Sequence, residues 1–445
     1  MISGMTMPPA VEADGMCPSC SAPLSTDPRF VTWCPSCSWN LDPSARSGTV
    51  TNTAPRGRAE RRREARRRAD GATVERVFRD LANPSRPPAA RDGARFAAMA
   101  VAGSVHLVTA AFTVGSIGLL TTGNLLMVPV AAIGLGIAFV TRPRLGRLDP
   151  DGSPLSRSEA PHLYALADRI AAELGAPPAE LIEVTPGFGT SYTRVGLRRH
   201  GVLTIGLALW EVLTPEERVA SLAHELGHAV NGDPRRNLWF HSAVEALTHW
   251  HRASAPGPVE ESGAGLVFMV MDWVAKLVMR GVHHLTGLLL RLMLRLTLAP
   301  GHRAEYRADE MAARVASSTA TRSMLQTLVL GDSVETVFRR RSAVQQGRRS
   351  TRATSRDEAD ASLWRELREY VTSIPEAERL RRLRLSARRM TSTDRTHPPT
   401  HLRLQLVSAR PPAEAALTLG ETEAAAIERE LETARVQTAR AVLMS

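Results

Sequence analysis

Residues His224-Glu225-Leu226-Gly227-His228 put two imidazoles four positions apart with a carboxylate between them. On a helix, positions four apart share a face, so both rings can present nitrogens to one metal ion. Glu225, one step round, can then touch a metal-bound water without ligating the ion. The preceding Thr214-Pro215-Glu216-Glu217 predicts where that helix starts: Thr214 caps, Pro215 suits the first helical position and Glu217 completes a capping box. Val219, Leu222, Ala223, Leu226 and Val230 supply apolar surroundings. Paired histidines also occur as hydrogen-bonded core residues, and two later segments weigh against that reading.

The first is Glu305-Tyr306-Arg307-Ala308-Asp309, which reads on as a helix through Met311-Ala312-Ala313. A catalytic zinc keeps three protein ligands and one open position, so two histidines need one more ligand, and Glu305 supplies a carboxylate. Asp309, four residues on, can accept a hydrogen bond from the far nitrogen of a ligand histidine and fix its tautomer. Alone, a Glu-x-x-x-Asp pattern is common on solvated helices. The second segment is Thr396-His397-Pro398-Pro399-Thr400-His401-Leu402-Arg403.

In this order the three segments resemble the HtpX and CAAX prenyl protease family of integral-membrane gluzincin metallopeptidases, over residues 96 to 408. The resemblance implies zinc held by His224, His228 and Glu305, and cleavage of peptide bonds in membrane, membrane-associated or misfolded proteins. In the HtpX branch that activity serves quality control. Zinc acidifies its bound water and polarises the scissile carbonyl, and Glu225 takes the water proton and passes it to the leaving amine. A donor must stabilise the oxyanion; His397 or Arg403 could do so, or either could only brace the domain. Thr190-Ser191-Tyr192-Thr193 stands where the family usually carries Asn-Ala-Phe/Tyr-Ala, a departure in the edge strand that would pair with substrate backbone.

A separate constellation lies near the N-terminus. Cys17-Pro-Ser-Cys20 and Cys34-Pro-Ser-Cys37 are two matching knuckles separated by thirteen residues. Four thiolates on two tight turns suit a closed structural zinc, with a redox pair or disulfides as the alternatives. Residues 1 to 16 lack the layout of a secretory signal, which points to a reducing cytosolic setting for these thiols. Trp33, Trp39 and a basic run from Arg56 to Arg68 make nucleic acid conceivable, but an adjoining apolar hairpin favours a protein partner of the ribbon or regulation of the peptidase. The run itself reads as a solvated tether, or as a segment drawn to an anionic leaflet.

The elements that must position these residues follow from patterning. The chain has 445 residues and a formal net charge of +11, enough length for two or three folded units. Residues 96 to 120 and 125 to 141 are apolar around the turn Thr121-Thr122-Gly123-Asn124 and read as a transmembrane hairpin, its second arm short and open to a kink at Pro129. Arg91 and Arg95 flank one end and Arg142, Arg144 and Arg147 the other, so both ends face the cytosol. This puts the ribbon and catalytic domain on the cytoplasmic side of the inner or plasma membrane. His106, inside the first arm, reads as a neutral histidine hydrogen-bonded within the helix pair.

Ser156 to Leu174 reads as a helix opened by a Ser156-Arg157-Ser158-Glu159 capping box and closed by Gly175, and Val202 to Leu209 reads as a strand. Residues 264 to 299 are apolar but carry Asp272, Lys276, Arg280, His283, His284, Arg291 and Arg295. Each Arg or Lys at mid-membrane is unfavourable by about 2.5 to 3.5 kcal/mol, so two helices half-buried against membrane or protease core fit best, with a second hairpin lining a polar cavity still open. Residues 338 to 356 read as an Arg-rich loop, 357 to 389 as helical, and the tail from Pro411 as helical.

The expected fold is mainly α with a small β-sheet. Its parts are a four-cysteine zinc ribbon at 14–42, a basic linker at 43–95, the hairpin at 96–141, a zincin-like metallopeptidase domain at 150–408 with an apolar insertion at 264–299, and a helical tail at 411–445. The competing readings are a catalytically silent membrane scaffold that recruits partners through the ribbon, which Glu225 disfavours, and a soluble peptidase, which the Arg-flanked hairpin disfavours.

Overall fold

A computed structural model describes residues 15–24, 26–43, 57–83, 92–143, 148–149, 152–196, 198–231, 238–256, 266–348, 356–389 and 397–444. In chain order its elements are α1 (Arg58–Ala82), α2 (Asp92–Thr121), α3 (Val128–Thr141), β1 (Ser153–Leu155), α4 (Pro161–Leu174), β2 (Leu181–Thr185), β3 (Thr190–Val195), β4 (His200–Gly206), α5 (Leu207–Trp210) and α6 (Pro215–Val230). There follow α7 (Leu238–Ala253), α8 (Leu266–Ala316), α9 (Ser318–Leu328), α10 (Gly331–Arg348), α11 (Arg356–Thr372), α12 (Glu376–Arg389), α13 (Thr400–Ala409), α14 (Glu421–Glu430) and α15 (Glu432–Met444).

The sheet runs β1-β2-β4-β3. β4 lies parallel to β2, with Ile182 opposite Leu203, and antiparallel to β3, with Tyr192 opposite Leu203 and Thr190 opposite Ile205. β3 is therefore an edge strand. One hydrophobic core joins the sheet (Ile182, Val184, Leu203, Ile205) to α4 (Leu163, Leu166, Ile170), α6 (Val219, Leu222) and the end of α8 (Ala312, Val315). Ile427, Leu431 and Ala439 of the tail belong to the same core. Two smaller clusters join α2, α7 and α8 (Ala102, Phe240, Leu247, Met293) and α1, α8 and α13 (Val77, Tyr306, Leu402, Leu406).

Local chemistry sets the element ends. Thr214 Oγ1 accepts the Glu217 N–H while the Glu217 carboxylate accepts the Thr214 N–H, so two of the orphan donors of α6 are met. Gly175 closes α4 in the left-handed conformation. The Ser156 and Glu159 pattern forms both reciprocal bonds, yet it closes a turn, and α4 begins only at Pro161, whose ring suits the first helical position. The apolar run after Val202 divides into β4 and the buried turn α5, because a fully buried strand and a buried helical turn leave the same apolar signature.

Three further expectations are corrected. Pro129 lies in the first turn of α3, where a missing N–H breaks no bond, and so does not kink the arm. Residues 266–299 form no pair of helices; they run without a break into the Glu305 segment as one helix of 51 residues that accommodates Pro300. The Arg-rich stretch is helical through Arg348 and again from Arg356, consistent with the high helix propensity of Arg and Gln. Arg56, Arg91, Arg144, Arg147, residues 264–265 and Thr396 lie outside the described residues.

The α2–α3 hairpin is closely packed. A Cβ on Gly134 would stand 2.2 Å from Ser116 Oγ, and Thr109 Oγ1 donates to the Thr141 carbonyl at 2.8 Å. Leu107, Val114, Ile117, Leu125, Ile133 and Phe139 are exposed on it. The stretches Phe96–Thr121 and Met269–Ala316 are long and apolar enough to cross a membrane, whereas α3, at 14 residues or about 21 Å, is shorter than a hydrocarbon core of about 30 Å. His106 bonds outside the hairpin: its Nε2 lies 3.0 Å from the Trp239 carbonyl oxygen and 3.2 Å from Ser242 Oγ, both on α7.

Candidate metal centre

The middle of α6 and the second half of α8 pack face to face. Asn231 Nδ2 donates to the Ala304 carbonyl at 2.8 Å, and a Cβ on Gly227 would meet Met311 and Ala308 at 3.4–3.6 Å, so the two backbones lie close. This brings His224, His228 and Glu305 together, all buried. His224 Nε2 lies 3.3 Å from His228 Nε2 and 3.5 Å from Glu305 Oε2, and His228 Nε2 lies 3.5 Å from Glu305 Oε1. Ligand atoms about 2.05 Å from a tetrahedral zinc stand about 3.3–3.4 Å apart, so this triangle has the size a single ion requires. Glu305 Oε2 is buried with no hydrogen-bond partner among the described residues, as an atom meant for a cation would be.

Charge gives a second measure of fit. Glu225, Glu305 and Asp309 are 3%, 4% and 1% exposed, and the one buried guanidinium among them is Arg403 at 2%. Three carboxylates around one guanidinium make the site acidic, and a bound cation or protonated imidazoles offset that charge. Burial opposes a proton on His224, but Asp309 and Glu305 raise its pKa to about 9. Burial would likewise raise Glu305, yet His397, His224 and His228 hold it well below the usual carboxylate range.

Behind this triangle, Arg403 on α13 clamps Asp309 with two bonds, Nε to Oδ2 at 2.8 Å and Nη2 to Oδ1 at 2.6 Å. Asp309 Oδ1 in turn lies 3.0 Å from His224 Nδ1. Burial works against the Asp309 carboxylate, but Arg403 brings it to about 2. His397 occupies the partly open side, its Nε2 3.3 Å from Glu305 Oε2 and its side chain 24% exposed. Glu225 and His397 also group with His224 within metal-ligand reach.

The edge strand contributes contacts that no motif announces. The Tyr192 backbone N–H donates to Glu225 Oε2 at 3.1 Å, and Thr190 Oγ1 lies 2.8 Å from Ser221 Oγ, so β3 is stitched along α6. In the sequence the strand shows only as the short stretch Thr190 to Thr193.

At the N-terminus Cys17, Cys20, Cys34 and Cys37 converge, with Cys17 Sγ 3.6 Å from Cys37 Sγ and Cys20 Sγ 3.5 Å from Cys34 Sγ. Disulfide sulfurs stand about 2.05 Å apart, and sulfurs sharing a tetrahedral zinc about 3.8 Å, so the set matches a shared ion. A hydrogen bond from the Cys37 backbone pulls Cys34 down to about 6 against burial. The Ala22 backbone favours a Cys20 thiolate, but neighbouring Cys37 and Cys34 push it up to about 12. The four sulfurs lie close enough together to share one cation.

A helical, metal-competent His-Glu-Leu-Gly-His site faced by a carboxylate from a second helix is the layout of a zincin. Residues 158–410 match the family described as peptidase family M48, so the chain belongs to that family. Among curated proteins it is similar to Protease HtpX of Pseudomonas putida (strain GB-1), 27% identical over 173 residues that make up 37% of this chain and 55% of the relative. It is also similar to the Protease HtpX homolog of Moorella thermoacetica, 31% identical over 102 residues, 23% of this chain and 34% of the relative. The chain thus spans about half the length of the Pseudomonas relative. No solved structure matches.

Proposed function

We propose that the chain is a membrane-anchored zinc endopeptidase that hydrolyses peptide bonds of membrane or misfolded proteins. The observation that carries this reading is the buried triangle of His224, His228 and Glu305, at the spacing a single ion requires. Zinc, when bound there, supplies an acidified water and polarises the scissile carbonyl. Glu225 accepts the proton of the attacking water and returns it to the leaving amine, its carboxylate aimed by the Tyr192 N–H. Asp309 holds the proton of His224 on Nδ1, which leaves Nε2 as the ligand atom, and Arg403 fixes Asp309 from behind. Arg403 is thereby a brace. His397, on the open side, is the donor to the oxyanion.

The four cysteines hold a second, structural zinc in a ribbon. The exposed apolar hairpin and the first part of α8 enter the bilayer, with ribbon and peptidase domain on the cytoplasmic side. Residues 14–42, 43–95, 96–141, 150–408 and 411–445 serve in turn as ribbon, linker, anchor, peptidase domain and tail.

The test compares wild type with Glu225→Gln in detergent, scoring zinc per chain and cleavage of an unfolded model protein. The expected result is about two zinc per chain in both and a rate lower by about 10²–10⁴ in the variant, the usual worth of a general base. Equal rates would remove Glu225 from the mechanism, and no cleavage by either would favour a silent scaffold.

A further inference from the structure

Helix α12 is weakly held by the core. Six of its fourteen residues are arginine, and among its described residues the only one fully buried is Glu378, at 3%, paired with Arg381 and Arg382. Leu383 packs against the core while still partly exposed. On one side Arg382, Leu385 and Ser386 border a cavity of about 470 Å³ that Phe188 and Thr400 also line. A helix with so little apolar burial sits at the low-stability end of a fold unless polar contacts fix it.

Arg379 ties the helix to the segment before it, donating to the Val371 carbonyl at 2.8 Å, and the further contacts come from the ribbon. The Trp33 indole N–H donates to the Ala377 carbonyl at 3.1 Å, and the indole is 3% exposed. Arg384 lies over the Trp33 ring, 5.4 Å from its centroid, and donates to the Pro35 carbonyl. Arg381 Nη1 donates to the Leu41 carbonyl at 3.0 Å, and Arg29 reaches Ser373 Oγ at 2.8 Å in the turn before α12. Trp33 and Pro35 flank Cys34, so the second knuckle is the docking element. Beyond α12, only positions 390–396 intervene before His397, and Thr400 on the cavity wall opens α13, the helix of Arg403.

We propose that the ribbon is an internal strut: with metal on its cysteines it pins α12 through Trp33, Arg381 and Arg384, and so positions the His397 to Arg403 segment against the metal centre. This rests on the peptidase reading for its effect on rate, but not for its effect on structure. Metal loss at the knuckles releases α12 and lowers turnover without touching a catalytic residue, because knuckle conformation depends on the ion.

The full chain in detergent is compared as wild type, Cys34→Ser, and the double variant Arg381→Gln/Arg384→Gln, which keeps all four cysteines. Zinc per chain, amide hydrogen exchange, kcat and KM are measured. Expected is loss of one zinc only in Cys34→Ser, with exchange across 376–389 and 397–403 faster by about tenfold in both variants and unchanged across 215–230. kcat falls in both, with KM changed less. Unaltered exchange at 397–403 in the double variant overturns the strut, also where Cys34→Ser unfolds more widely. A wild type that cleaves nothing sinks the peptidase reading, while exchange still decides the strut.

Discussion

The Asp309 carboxylate stands between Arg403, which grips both of its oxygens, and His224, whose Nδ1 it meets at 3.0 Å. Replacing Asp309 with Asn keeps the shape and removes the charge. The expected result is a metal centre that binds zinc about 10–100-fold more weakly, read by chelator competition, because partners of ligand histidines set ligand basicity. Arg403→Met takes both guanidinium bonds from the buried Asp309 and leaves it His224, and should destabilise the fold by about 3–5 kcal/mol in thermal or urea unfolding. Unchanged stability would show that water reaches Asp309.

Zinc binding at this centre should depend on pH with a definite sign. His224, raised to about 9 by its carboxylate neighbours, must lose its proton to ligate, so apparent affinity rises about tenfold per pH unit up to about 9. In chelator-stripped protein the sign is opposite for stability. The proton stabilises the fold fully below the ordinary value of 6.5, and that contribution is lost as pH rises through about 9. Thermal unfolding of stripped and zinc-loaded protein from pH 6 to 10 separates the two trends.

Gly206 ends β4 where the β2–β3 loop folds back on it. Its N–H donates to the Gly189 carbonyl at 2.8 Å, and a Cβ would stand 2.3 Å from that oxygen and 2.4 Å from the Gly187 oxygen. Gly206→Ala must therefore displace backbone, and a loss of about 1–3 kcal/mol is expected, with slack in the edge strand that supports Glu225. Unfolding midpoints check the first, and cleavage rates the second.

The turn of the hairpin tests the membrane reading. Thr122→Cys should react with a membrane-impermeant thiol reagent added outside intact cells, while the ribbon cysteines stay protected until the cells are opened. Protection of Thr122→Cys in intact cells would contradict a hairpin that crosses the bilayer.

Short-range chemistry was readable in the amino-acid order. The Thr214 box and the Gly175 cap each need only neighbours within a few residues, and both are present. His224 and His228 share a face because ligand spacing on a helix is itself periodic, and Glu305 and His397 of the two later segments come within reach of them. Other features stayed hidden because they join distant residues or because two structures share one pattern. Tyr192 meets Glu225 through a backbone N–H, which has no residue signature. Trp33 and Arg384 lie 351 positions apart in the chain. The charges between Asp272 and Arg295 argued against a lipid-exposed span and for two half-buried helices, yet Lys276 pairs with Asp272 one turn away, and a single helix continues.

That continuity has a mechanical consequence. A helix of 51 residues is a rod about 76 Å long, and it carries exposed Trp273, Leu277 and Leu288 towards one end and Glu305 towards the other. Whatever grips or tilts the apolar end has the metal-facing carboxylate on the same helix.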